Sequence, residues 1–313
     1  MERPTKKERD MGRSMADKRR DEFLDACEAG DVAKARSMLE KGQTPEPTNT
    51  DFHPPLARAV YHPEMVETLL KAGARPDDPF FLDPFDVEGA EPVVFFATSD
   101  EVPYESFRLL VEAGAPLYRK KDGEPEYEGL LHRVAGETRG GDLAAAKAML
   151  LLSKGADPDR EDARGRTPLM LASGASLVDV LMKAGAKVDE RVKPLHNCAV
   201  CGRDEDVERL VRMGFDPNEL GTPPMLGTRG NAPAPALHYA ARYDNANVCT
   251  ELLRVGADPE IKDARGESID GLMRDDRVRA TITAHREAKA FEEQLGPRDE
   301  GGPAENSGRR RRM

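Results

Sequence analysis

Chemistry in this chain would have to come from a few scattered groups: the histidines His132, His196 and His238, and one Cys-x-x-Cys, Cys198-Ala-Val-Cys201. His196, Cys198 and Cys201 could give zinc three ligands, but a structural zinc site closes with four, and no second such pair occurs. Cys198 also stands where a helix calls for a small apolar side chain, and free cysteine packs as one. The glycines of residues 136–141, Gly-Glu-Thr-Arg-Gly-Gly, could approach a phosphate, yet no Lys-Ser or Lys-Thr pair opens a helix after them. No Gly-x-Ser-x-Gly elbow is present. Catalysis therefore has no positive support, and neither a metal, a cofactor nor a small-molecule substrate is expected. An enzyme or zinc protein on a repeat scaffold stays open as an alternative, because a triad can assemble from distant residues.

The three histidines share a setting. Each follows a leucine in a short apolar stretch: Leu131-His-Arg-Val-Ala135, Pro194-Leu-His-Asn-Cys-Ala199 and Pro235-Ala-Leu-His-Tyr-Ala-Ala241. Pro55-Leu-Ala-Arg-Ala59 and Thr167-Pro-Leu-Met-Leu-Ala172 open in the same way, and proline is preorganised for a first helical turn. A second signature ends each stretch, as in Leu70-Lys-Ala-Gly-Ala-Arg-Pro76, Ser153-Lys-Gly-Ala-Asp-Pro158 and Leu253-Arg-Val-Gly-Ala-Asp-Pro259. Its glycines, Gly42, Gly73, Gly114, Gly155, Gly185, Gly214 and Gly256, lie 31, 41, 41, 30, 29 and 42 residues apart. Each stands where an amphipathic helix must stop in a left-handed conformation. A unit is thus a turn, a helix, a second helix and a glycine stop, and three gaps carry roughly ten extra residues.

This pattern resembles the ankyrin repeat, whose opening reads Thr-Pro-Leu-His-x-Ala and whose end reads Leu-Leu-x-x-Gly-Ala-Asp. Thr167-Pro168-Leu169, Leu237-His238-Tyr239-Ala240-Ala241 and Leu252-Leu253-Arg-Val-Gly256-Ala257-Asp258 are the closest copies. The resemblance covers roughly residues 21–270. It implies an all-α solenoid of about seven to eight helix-turn-helix units with projecting loops, and histidines that tie adjacent turns. Departures fall in the unit after Thr167, which has lost part of its helix pair, and in the Pro92 unit with Val93-Val94-Phe95-Phe96-Ala97. The organisation expected is a charged flexible leader over 1–20, a repeat domain over 21–295 with a degenerate last cap, and a disordered, basic-ended tail over 296–313.

The formal charge of −11 hides a segregation, since the two ends together carry +6 and the middle −17. An acidic body disfavours nucleic acid. No stretch is apolar enough for an anchor or signal peptide, and the most apolar run, residues 144–152, contains Lys147. Four scattered cysteines point to a reducing compartment, so a monomeric cytoplasmic protein is expected. Arg309-Arg-Arg-Arg312 leaves a nuclear alternative open.

What remains is binding. Ankyrin repeats imply a concave surface of fingers and first helices, used by an adaptor, scaffold or inhibitor to hold a partner protein. An effector or immunity-type regulator is an alternative. The long gaps place extra residues near 77–91, 117–129 and 219–234. Nine of the sixteen aromatic residues fall between Phe80 and Tyr127, which concentrates anchor side chains where the loops are longest. Phe80, Phe81 and Phe85, interleaved with acids that include Asp83 and Asp86, are the expected docking residues for a partner with a basic rim. Tyr118, Tyr127, Arg242 and Tyr243 complete the candidate surface. The competing expectation is that the phenylalanines fold back over a groove in the third unit.

Overall fold

The computed structural model describes residues 15–48, 53–77, 79–80, 91–118, 129–136, 141–224 and 232–295. Among them the chain forms eight successive helix pairs. The first four are α1 Met15–Ala29 with α2 Val32–Glu40, α3 Pro55–Ala59 with α4 Pro63–Lys71, α5 Val93–Phe96 with α6 Tyr104–Glu112, and α7 Leu130–Gly136 with α8 Gly141–Ser153. The next three are α9 Pro168–Leu171 with α10 Ala175–Lys183, α11 Pro194–Cys201 with α12 Asp204–Arg212, and α13 Ala236–Arg242 with α14 Ala246–Arg254. A 3₁₀ turn, Ile269–Leu272, with α15 Asp276–Leu295 closes the stack. The expected all-α solenoid is the observed one. A two-residue ribbon, β1 Pro79–Phe80 against β2 Glu91–Pro92, is an addition that alternation in the sequence did not announce.

The seven glycine stops act as read. Every one has positive φ, from 88° at Gly42 to 101° at Gly73 and Gly214. The N–H of the residue after each glycine reaches back five positions, as in Ala74 N to Leu69 O and Ala257 N to Leu252 O, which takes up a carbonyl the ending helix leaves free. Second helices bury one stripe; α4 places Met65, Val66 and Leu69 inside. One apolar core runs from Phe23 through Phe107, Leu169 and Leu195 to Ile282.

The charged leader does not extend to residue 20, because α1 begins at Met15 and Arg20 is buried. Its guanidinium donates to Thr44 O at 2.5 Å and Glu46 O at 2.6 Å and lies 5.5 Å from the centre of the Phe23 ring. A cation can sit there because its donors are matched by backbone carbonyls. Residues 1–14 and 296–313 lie outside the described residues.

The fifth unit keeps both helices, but α9 is a single turn and Ala172 is already extended. Asn197 of the next unit is wholly buried beneath it and donates to Met170 O at 2.8 Å and Ala172 O at 3.0 Å. The third unit solves a similar problem with a charge. Lys147, only 1% exposed on α8, donates to Thr98 O at 2.7 Å and Ser99 O at 3.0 Å beyond the short α5. Lys147→Met keeps the packed stem but takes the donor from Thr98 O, while Ser99 O keeps the Val102 amide at 3.2 Å, so a loss of about 1–3 kcal/mol in urea unfolding is expected. An unchanged midpoint would mean that Thr98 O finds another donor.

Candidate partner-binding surface

The unit's projecting part is a finger, and two fingers share one sequence. Asp162-Ala-Arg-Gly-Arg166 and Asp263-Ala-Arg-Gly-Glu267 fold alike. In the first, Asp162 N donates to Arg166 O at 2.9 Å, and Asp162 Oδ1 accepts from the Arg164 and Arg166 amides at 2.9 Å each. In the second, Asp263 repeats these bonds toward Arg265 and Glu267. Gly165 and Gly266, at φ 70° and 81°, close the turns. An aspartate that bonds its own downstream amides makes such a turn locally self-sufficient.

All three insertions start from paired roots. Pro79 and Phe80 face Pro92 and Glu91, Tyr118 bridges Gly129, and Gly221 bridges Ala234, each antiparallel. Glu91 is further held by Arg133 at 3.0 Å. The extra residues are therefore carried on the fingers, and the helix pairs stay continuous.

The histidines serve the scaffold. His132 Nε2 bonds Arg166 O at 3.0 Å and His196 Nε2 bonds Ala234 O at 2.9 Å, in each case just before the next unit's first helix. His238 lies against the equivalent Glu267 backbone without closing a bond of normal geometry. Burial lowers the pKa of His238, and it lowers that of His196 to about 4, keeping both rings neutral. Burial also raises the Cys198 and Cys201 thiols, so neither is a ready thiolate. Cys198 Sγ contacts Arg203 O at 2.7 Å. Among the described residues no three His, Cys, Asp or Glu side chains gather as a metal-ligand set.

Against this repeated geometry, a family model described as "Ankyrin repeats (3 copies)" matches residues 131–220, and one described as "Ankyrin repeat" matches residues 235–264. Residues 131–220 and 235–264 of this chain are ankyrin repeats. It is 29% identical over 248 residues to the human "SH3 and multiple ankyrin repeat domains protein 2", a match that covers 76% of this chain and spans 12% of that protein's length. Among solved structures, the human ASB11 ankyrin repeat domain is 18% identical with a TM-score of 0.45, covering 83% of this chain and 96% of that one. The ankyrin repeat domain of Bcl-3 is 21% identical with a TM-score of 0.41, covering 83% and 97%. Among the described residues no helix is long and apolar enough to cross a membrane.

The candidate docking residues spread over the ankyrin stack. Phe80 lies in β1, its backbone paired with Glu91, while Phe81, Asp83, Phe85, Asp86 and Tyr127 lie outside the described residues. Tyr118 is half-buried; its hydroxyl accepts from Asp157 N at 3.0 Å and its ring carries the Arg160 guanidinium at 4.4 Å. Arg242 and Tyr243 are exposed at the end of α13, far along the chain from the others. Sequence reasoning missed a groove of about 940 Å³ between the fifth, sixth and seventh fingers, lined by Arg164, Arg166, Arg191 and Lys193 together with Leu220 and Pro223. The repeated Asp-Ala-Arg-Gly was the available signal for the first of these arginines.

Proposed function

We propose that this chain is a non-catalytic protein-binding module, an adaptor, scaffold or inhibitor, that takes its partner through its ankyrin fingers and concave face. The observation that carries this reading is the paired root beneath each of the three insertions, which joins each inserted segment to the side of the stack where the fingers project. Binding residues commonly occupy such segments. The groups with chemical capacity are already engaged: His132 and His196 tie fingers, and Cys27, Cys198 and Cys249 are buried free thiols. Buried free thiols suit a reducing compartment, and the cytoplasm is the assignment we favour, with the nucleus as alternative.

The primary docking segment is residues 77–91, with Phe80, Phe81 and Phe85 as anchors and Asp83 and Asp86 among the surrounding acids. Such a segment suits a protein partner with a basic rim, with charge mainly speeding encounter. Partners identified by affinity purification from the native cell provide the assay. Replacing Phe80, Phe81 and Phe85 together with serine should leave the unfolding free energy within about 0.5 kcal/mol and reduce partner affinity at least about tenfold. Full binding by the triple variant, or a destabilised stack, would refute this docking segment.

A further inference from the structure

We infer that the groove between the fifth, sixth and seventh fingers binds an extended acidic peptide segment with one large apolar anchor, a specificity that rests on the protein-binding reading above. The groove is about 940 Å³, near the top of the range for ligand pockets. Helices pack roughly 10 Å apart, so the fifth to the seventh finger spans about 20 Å, the length of about six extended residues at ~3.3 Å each. A segment of that length touches all three fingers.

The lining states the chemistry. Arg164, Arg166, Arg191 and Lys193 line the groove together with Glu190 and Glu219, while the carboxylates that hold Arg166 and Arg191, namely Asp162, Asp189 and Glu161, do not line it. Arg164 is exposed, and among the described residues its guanidinium has no ion pair. Arg166 gives Nε and Nη2 to Asp162 Oδ2 at 2.8 and 2.7 Å, which fixes the fork and leaves Nη1 for an incoming acceptor. Arginine forks match carboxylates bidentately. Lys193 is tied to Glu219 at 2.6 Å, an arrangement that depends on Gly221: a Cβ there would sit 2.7 Å from Lys193 Cδ.

Part of the lining is apolar. Leu220 is 43% exposed, beside Pro223 and Pro224 from the root of the third insertion, with Met170 among the lining residues. A polyphosphate would leave this apolar part unused, and the acidic body would repel its length. A short acidic segment escapes that repulsion, because exposed charges farther than about 8 Å are largely screened at physiological salt.

The test uses the full chain and a fluorescein-labelled peptide, Glu-Asp-Leu-Asp-Phe-Glu-Asp, read by anisotropy, with amide shifts mapped by NMR. Binding should perturb the Gly165 and Gly221 amides and weaken at least about tenfold in Arg164→Glu and in Leu220→Asp. Both positions are exposed, and circular dichroism checks that each variant keeps its helices. A counterpart with lysine at every acidic position should not bind. Unchanged affinity in both variants, equal binding of the lysine peptide, or stronger competition by oligouridylate than by unlabelled peptide would overturn the inference. If the peptide fails while the triple phenylalanine variant still separates partner capture from stability, the groove assignment falls and the module reading stands.

Discussion

Replacing Asp206 with alanine is expected to cost the stack about 3–5 kcal/mol, the usual consequence of removing one member of a buried ion pair, because the carboxylate that remains near Arg203, Glu205 at 3.6 Å, is largely exposed. Asp206 and Arg203 have side chains only 11% and 10% exposed. Asp206 Oδ2 meets Arg203 Nη2 at 2.6 Å and Nε at 2.7 Å, and its Oδ1 accepts from Ala175 N at 3.0 Å. Ala175 opens α10 in the preceding unit, where the capping residue Gly174 has no side chain to offer. One carboxylate therefore neutralises a buried guanidinium and caps a neighbour's helix. Urea unfolding measures the loss. A drop below about 1 kcal/mol would show that water reaches Arg203, and the pair Arg203→Met with Asp206→Leu should recover much of the stability, because no buried charge is then left alone.

Acid should destabilise the protein before its carboxylates titrate. His196 is buried and neutral with its pKa lowered to about 4, whereas the unfolded chain protonates it near 6.5. Between those values the unfolded state binds more protons, so stability is complete above about pH 6.5 and falls as the pH drops toward 4. Burial lowers His238 and His53 as well, which adds to the same slope. The His196 contribution is on the order of 3 kcal/mol over the window. Asp162 has its pKa lowered, burial being outweighed by bonds from Arg166 and Arg164, so its contribution is lost only on further acidification, below the ordinary aspartate range. Urea midpoints at pH 7 and pH 4.5 should differ in the native chain and differ clearly less in His196→Gln, where His238 and His53 remain. Equal slopes in both would assign the acid sensitivity to other groups.

The sequence displayed what is decided within a few residues and concealed what is decided across units. A glycine that ends a helix must take a left-handed φ wherever the chain goes next, so Gly42 to Gly256 could be read one at a time. The Leu-His slot was legible because it recurs, although His238 does not close the bond that His132 and His196 make. Asn197, Lys147 and Asp206 were opaque: the backbone groups they serve in another unit lie 25 to 49 residues away. The groove escaped for a related reason, since Leu220 joins Arg164 in its lining only after three fingers are stacked. The boundary at residue 21 failed because the density of charge in 15–20 masked a helix whose Arg20 turns inward.

The one-turn helix α9 has a consequence for synthesis on the ribosome. Its carbonyls at Met170 and Ala172 are taken by Asn197, a residue translated about two dozen positions later. Units one to three hold the elements they need once Gly155 has emerged, but the fifth must wait, its backbone solvated, until the sixth leaves the exit tunnel. Elongation would then proceed in a step of two units at this point, and a ribosome stalled between Gly185 and Asn197 would display an unfinished end to chaperones and proteases.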